Sequence, residues 1–196
     1  MIPIISEKEP RCLSTLVDAL NTGHVIAYPT EAVYGVGCDP HNAQSIETIY
    51  ALKKRPANKG FILISHHWDI IAPWISPLSP FRMEDILNTW PGPITWILPA
   101  SPLLPPHLKN KNNTIAVRIT AHPFSKTLCE AFNKPLVSTS ANLAGHSPCY
   151  TPQCIQTTFS KDIAFIVDAP LGTLRCPTEI REGSTGNILR SGDPQS

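Results

Sequence analysis

The chain has 196 residues, 42% hydrophobic and 16% charged, with a formal net charge of +1. That length suits one domain with a substantial core, and the composition excludes a disordered chain. A charge so near zero supplies no whole-molecule field for nucleic acid, and no apolar run reaches membrane-spanning length. The N-terminus lacks the pattern of a secretory signal, so a soluble cytoplasmic protein is expected.

In chain order, Leu13, Leu16, Val17 and Leu20 recur at helical spacing, and Gly23 stands where a left-handed cap would end that helix. Val25 to Tyr28 reads as a short buried strand, which Pro29 should turn out of the sheet. Thr30 and Glu31 then fall just past a strand end, where ligands collect in open α/β sheets. Gly35 and Gly37 would let the backbone turn or approach a ligand. The same stretch also reads as a strand, a proline turn and a glycine bulge without chemistry.

Ala43, Ile46, Ile49 and Tyr50 predict a second helix, closed by Lys53, Lys54 and Arg55 before Pro56. Cations at a helix C-terminus need no ligand to explain them. Phe61 to Ile64 is a continuous apolar strand, and His66-His67 opens a short helix. Ser79-Pro80 starts a helix running to about Trp90, Pro91-Gly92-Pro93 stops it, and Ile94 to Leu98 resumes as strand. The proline-rich segment Pro99 to Asn113 is expected to be an exposed, mobile loop.

Ile115 to Ile119 alternates around Arg118, Pro123 opens a helix through Phe132, and Leu136-Val137 starts a strand that breaks into Ser138-Thr139-Ser140-Ala141-Asn142. Thr151-Pro152 begins a short helix, Ile163 to Val167 is a strand, and Ile188-Leu189 is the last. Strands alternating with helices, some strand pairs lacking a helix between them, imply a mixed α/β sheet. The six cysteines form no Cys-x-x-Cys pair and are expected to be buried or incidental thiols. The seven histidines make no metal-ligand spacing, so no protein-ligated metal is expected.

Thr30-Glu31, Lys53-Lys54-Arg55 and Ser138 through Asn142 together suggest an anion site, with hydroxyls, an amide and cations suited to a nucleotide. Neither standard phosphate loop is present. Arg118, inside an apolar strand, is either an edge-facing arginine or a bidentate grip on a carboxylate. Arg190 invites the same comparison, with solvent exposure as its alternative. Ser138, Ser140 and Asn142 also suit a plain turn. Ser140 has no nucleophile elbow and no evident His and Asp partners, which argues against a serine hydrolase.

Taken in order, Tyr28-Pro-Thr-Glu-Ala-Val-Tyr-Gly-Val-Gly37, Lys53-Lys-Arg-Pro56, Pro91-Gly-Pro-Ile-Thr95, Ala116-Val-Arg118, Ser138-Thr-Ser-Ala-Asn142 and Pro177-Thr-Glu-Ile180 closely resemble the YrdC/TsaC family of threonylcarbamoyl-AMP synthases. The resemblance implies one YrdC-like α/β domain over residues 6–196, a twisted mixed sheet flanked by helices around a concave basic cavity. It implies the conversion of L-threonine, bicarbonate and ATP to threonylcarbamoyl-adenylate, pyrophosphate and water. The product would pass to tRNA threonylcarbamoyl-transfer proteins, with weak tRNA contact open.

Carried over by residue, the resemblance implies Thr30, Arg118, Ser138 and Thr178 around threonine, and Lys53 and Arg55 as catalytic cations at the ATP phosphates. Thr114, Ser140, Asn142 and Arg190 would complete the nucleotide site, with Mg2+ accompanying ATP. Thr178 stands where many relatives have serine. The chain looks like the short form, without the additional C-terminal domain of longer relatives. An RNA-binding module using the same cavity is the alternative, and carbamoyl transfer to another protein is a weaker third.

Overall fold

Strands form where short apolar runs meet proline or glycine, and each α-helix after the first begins where a hydroxyl, amide or imidazole side chain caps the first turn. The computed structural model describes residues 1–54, 60–159 and 161–192. In order the elements are β1 (Ile4–Ser6), α1 (Cys12–Asn21), β2 (Ile26–Pro29), β3 (Tyr34–Cys38), α2 (Ala43–Lys53) and β4 (Ile62–Ser65). There follow α3 (Trp68–Ile71), α4 (Pro80–Leu87), β5 (Ile94–Pro99), β6 (Thr114–Ile119), α5 (Pro123–Phe132) and β7 (Leu136–Ser140). The chain continues through α6 (Pro152–Thr158), β8 (Phe165–Asp168), β9 (Glu179–Glu182) and β10 (Ile188–Arg190).

Among the described residues the strands build one sheet in the order β1-β8-β2-β3-β7-β4-β6-β5-β9-β10. It is mixed: β8 runs parallel to β1 and β2, β4 to β6, and β5 to β9, while β3 and β7 are antiparallel to their neighbours. The pleat sends alternate residues to opposite faces. Ile26, Tyr28, Ile64 and Leu136 pack with Leu16 and Leu20 of α1 and Leu128 and Phe132 of α5. Ala27, Leu63, Val117 and Val137 join the larger core on the other side.

Five expectations need correction. Pro29 does not leave the sheet: it is the last residue of β2, pairs with Tyr34, and the chain returns as β3 in a hairpin. Gly35 and Gly37 lie inside β3 and are not turn residues. A Cβ on Gly37 would strike the Val137 carbonyl and the Tyr28 ring, so the glycine lets β3 lie close to both. Helix α4 ends at Leu87, short of Trp90, where Thr89 Oγ1 donates to the Ile86 carbonyl and competes with further helix.

Residues 99–113 are not a free loop. Leu104 and Leu108 are buried in the larger core, and the Ala100 amide donates to Asn113 O at 2.9 Å, so apolar anchors outweigh the proline content. Two cysteines are also not incidental thiols. Thr151 caps α6, bringing Cys154 in its first turn back to Cys149 with Cα atoms 5.4 Å apart, and the two form a disulfide.

Candidate active site

Helices α1 and α5 cover only part of their face of the sheet. Beyond them lies a cavity of about 260 Å³. Its lining follows the pleat: Thr114, Ala116 and Arg118 of β6, Ile62 of β4, Ser138 and Ser140 of β7, and Gly35 of β3. Thr30 enters from the hairpin turn, Thr178 and Ile180 from β9 and the residue before it, and Arg190 from β10.

Arg118 is 4% exposed and is held from three elements. Its Nη1 donates to Thr95 Oγ1 at 3.0 Å and Thr178 Oγ1 at 3.2 Å, while Nη2 donates to Glu31 Oε2 at 3.1 Å. Thr120 Oγ1 donates to the other Glu31 oxygen at 2.6 Å. The buried Nε–H of Arg118 has no protein partner among the described residues. Burial would push the Glu31 carboxyl up, but the Arg118 guanidinium and the Thr120 hydroxyl together outweigh it and hold it below the usual carboxylate range.

His122 extends this cluster. Its Nδ1 accepts from the Ser125 amide at 3.3 Å, so Nε2 carries the proton and donates to Pro170 O at 3.1 Å. Burial lowers its pKa, because a charged imidazolium is poorly solvated there. Arg190 donates through Nε and Nη2 to the Thr178 carbonyl, at 3.1 and 2.6 Å, clasping β10 to the cavity rim. Burial and the nearby Arg118 cation lower its pKa.

Thr30 donates its backbone N–H and its hydroxyl to Val33 O, at 3.1 and 2.7 Å, closing the hairpin turn. Its hydroxyl proton is thus committed, and its oxygen lone pairs remain as acceptors.

Lys53 and Asn142 do not line the cavity. They stand behind Ser140, where Lys53 Nζ donates to the carbonyls of Ser140 and Asn142, the latter at 2.8 Å, and to Asn142 Oδ1 at 3.1 Å. Ser140 Oγ donates to the same Oδ1 at 2.6 Å, and Asn142 Nδ2 donates to the carbonyls of Leu143 and His146. Lys53 is therefore built into the wall, facing backbone carbonyls. Arg55 lies outside the described residues. The structure thus brings seven sequence-selected residues to one cavity: Thr30, Thr114, Arg118, Ser138, Ser140, Thr178 and Arg190.

Sequence reasoning missed the roles of Glu31, Thr95, Thr120 and His122. A partial signal existed, because an arginine in an apolar strand needs an anion, either a ligand or a buried acid, and Glu31 follows a strand end.

Fold and cavity define a mixed-sheet α/β protein whose pocket presents hydroxyls around a charge-paired arginine. A family model described as "Telomere recombination", covering Sua5, YciO and YrdC, matches residues 18–192. A protein of Coxiella burnetii named threonylcarbamoyl-AMP synthase is 44% identical over 178 residues, 91% of this chain and 96% of that one. A protein of the same name from Photobacterium profundum is 44% identical over 182 residues, 92% and 98% of the two chains. The chain belongs to the Sua5/YciO/YrdC family.

Among solved structures, P. abyssi Sua5 complexed with L-threonine superposes with a TM-score of 0.88 at 25% identity, covering 98% of this chain. This chain spans 57% of that longer one. E. coli YciO gives a TM-score of 0.81 at 26% identity, covering 98% of this chain and 95% of its own.

Proposed function

We propose that the chain is a threonylcarbamoyl-AMP synthase. The observation that carries this reading is the 44% identity, over nearly the full length of both chains, to proteins of that name. The threonine amine and bicarbonate combine to an N-carboxylate with loss of water. A carboxylate oxygen then attacks the α-phosphorus of ATP, and the bond to the bridging oxygen breaks as pyrophosphate leaves. No side-chain nucleophile is needed, so the protein's work is positioning and offsetting charge.

In this reading Arg118 meets the threonine carboxylate, and its unpartnered buried Nε–H supports that role. Thr30, with acceptor lone pairs toward the cavity, suits the ammonium, and Ser138 and Thr178 close around the side chain. Thr114, Ser140 and Arg190 face the nucleotide; Arg55 meets the phosphates; Lys53 and Asn142 shape the wall behind Ser140. The cavity lining holds no carboxylate among the described residues, so Mg2+ would be ligated by the triphosphate and water.

No helix among the described residues is long and apolar enough to cross a membrane. A cytoplasmic enzyme handing its product to tRNA threonylcarbamoyl-transfer proteins fits this reading. The RNA-binding alternative is not favoured: the cations lining the cavity among the described residues are Arg118 and Arg190, and Arg118 is already charge-paired. The deciding experiment measures pyrophosphate release from ATP with threonine or bicarbonate omitted. Release should require both, and release that ignores either one overturns the assignment.

A further inference from the structure

Glu31 lies in the hairpin turn beside Thr30, yet its carboxylate points away from ligand-facing positions and into the cluster under Arg118. Both of its oxygens are used, Oε2 by Arg118 Nη2 and Oε1 by the Thr120 hydroxyl. The guanidinium is thereby gripped on one side by Glu31 and on the other by Thr95 and Thr178. Such a grip fixes the plane of a group whose usefulness to a carboxylate depends on orientation.

Glu31 is itself held from behind. Its carbonyl accepts from the Leu174 amide at 3.1 Å, and Gly172 N donates to Thr30 O at 3.0 Å. A Cβ on Gly172 would collide with the Glu31 backbone, so the crossing segment seats directly on this turn. His122 ties the same segment down through Pro170 O. Residues far apart in sequence thus converge to immobilise one carboxylate.

We infer that Glu31 is the positioning residue of Arg118, setting the orientation in which the cavity receives the carboxylate of an amino-acid substrate. This rests on the synthase reading for the identity of that substrate. Glu31 takes no part in the bond-making step.

The test compares wild type, Glu31→Ala, Glu31→Gln, Arg118→Ala and the double variant Glu31→Ala/Arg118→Ala in steady-state pyrophosphate release. With threonine varied, Glu31→Ala should lose about a hundredfold in kcat/KM, as expected for a misplaced binding group. The KM for ATP should stay within about twofold. Glu31→Gln should recover most of the loss, because its amide oxygen still accepts from the guanidinium. The double variant should be no worse than Arg118→Ala, since one residue acts through the other.

Parallel losses for threonine and ATP, or losses that multiply in the double variant, overturn the proposal. If Glu31→Ala does not fold, Thr120→Val carries the test, because it frees one Glu31 oxygen while leaving the ion pair. It should give a smaller loss confined to threonine, and unchanged threonine kinetics count against the inference.

Failure of the synthase reading appears separately, as wild-type protein with no threonine-dependent release. Positioning is then read from the Arg118 Nε–H resonance in 15N NMR, identified by its absence in Arg118→Ala. It should exchange slowly in wild type and nearly as slowly in Glu31→Gln, but rapidly in Glu31→Ala and Thr120→Val. A resonance unaffected in both Glu31→Ala and Thr120→Val overturns the inference.

Discussion

Two buried cations sit near the cavity, and the partners described for each differ in kind. Arg118 at the floor has a full counter-charge in Glu31 and three hydroxyls around the pair. Lys53 in the wall donates to two carbonyls and an amide oxygen of the Ser140–Asn142 turn. The floor is therefore an ion pair that fixes the orientation of a group lining the cavity, and the wall is a cation that fixes the shape of a backbone turn. A sequence motif rich in cations does not distinguish these tasks, but the nature of the acceptors does.

The largest effect should come from Arg118→Ala, which strands Glu31 as a buried, unpaired carboxylate. Breaking such a pair from one side costs about 3–5 kcal/mol. Urea unfolding at neutral pH should register that loss, and threonine kinetics should suffer far more than ATP kinetics. A stability change below about 1 kcal/mol, in the range of exposed ion pairs, would erase the contrast with the wall.

Lys53→Met should come next, because the wall loses one donor shared among several buried acceptors, a penalty of about 1–3 kcal/mol. Its kinetic signature should be a raised KM for ATP with threonine affected less. Should threonine binding suffer more, Lys53 serves the floor and the two regions are not separate.

The Cys149–Cys154 disulfide acts on the wall and on the start of β3 beside it. The Cys149 amide donates to Ala141 O at 2.8 Å and its carbonyl accepts from Tyr34 N at 2.9 Å, so the bridge anchors the residues that flank Ser140. Closing so short a loop stabilises by about 2 kcal/mol in the chain-entropy model. Thermal unfolding with and without a thiol reductant should show that difference, and Cys149→Ser should abolish the response. A reductant effect that persists in Cys149→Ser would trace to something else.

The smallest effect is pH dependence, and it acts on the floor. Glu31 and His122 both have folded pKa values below their ordinary ones. The native state therefore holds fewer protons than the unfolded chain, and stability falls as pH drops. The His122 contribution is complete above about pH 6.5 and fades below it, with Glu31 following at more acid pH. His122→Asn should remove the upper part of that decline. An identical profile in the variant would mean that His122 does not contribute.

Much of the fold was readable because single-element patterns specify it. The Leu13–Leu20 spacing marks α1, and Ser79-Pro80, Pro123 and Thr151-Pro152 mark helix starts. Strand β3 was not readable, since Tyr-Gly-Val-Gly carries two residues that weaken a strand in isolation. Only the closeness of Val137 and Tyr28 makes glycine necessary there. The packing of Leu104 and Leu108 depends on a core their own segment does not contain. Glu31 and Arg118 stand 87 positions apart, so their pairing emerges only when the topology places the hairpin turn against β6. Site residues at the ends of apolar strands were legible because each breaks a local pattern, while their second-layer partners were not.

Strand β4 lies between β6 and β7 and contributes four residues, with Ile64 opposite Arg118 and Ile62 opposite Ser138. Two ladder spacings, about 10 Å in total, thus separate the strand bearing Arg118 from the strand bearing Ser138 and Ser140. That interval belongs to the backbone and is indifferent to which side chains β4 carries. The span between the two ends of the pocket is therefore a fixed ruler: substitutions can change what each end grips while leaving the reach between them unaltered.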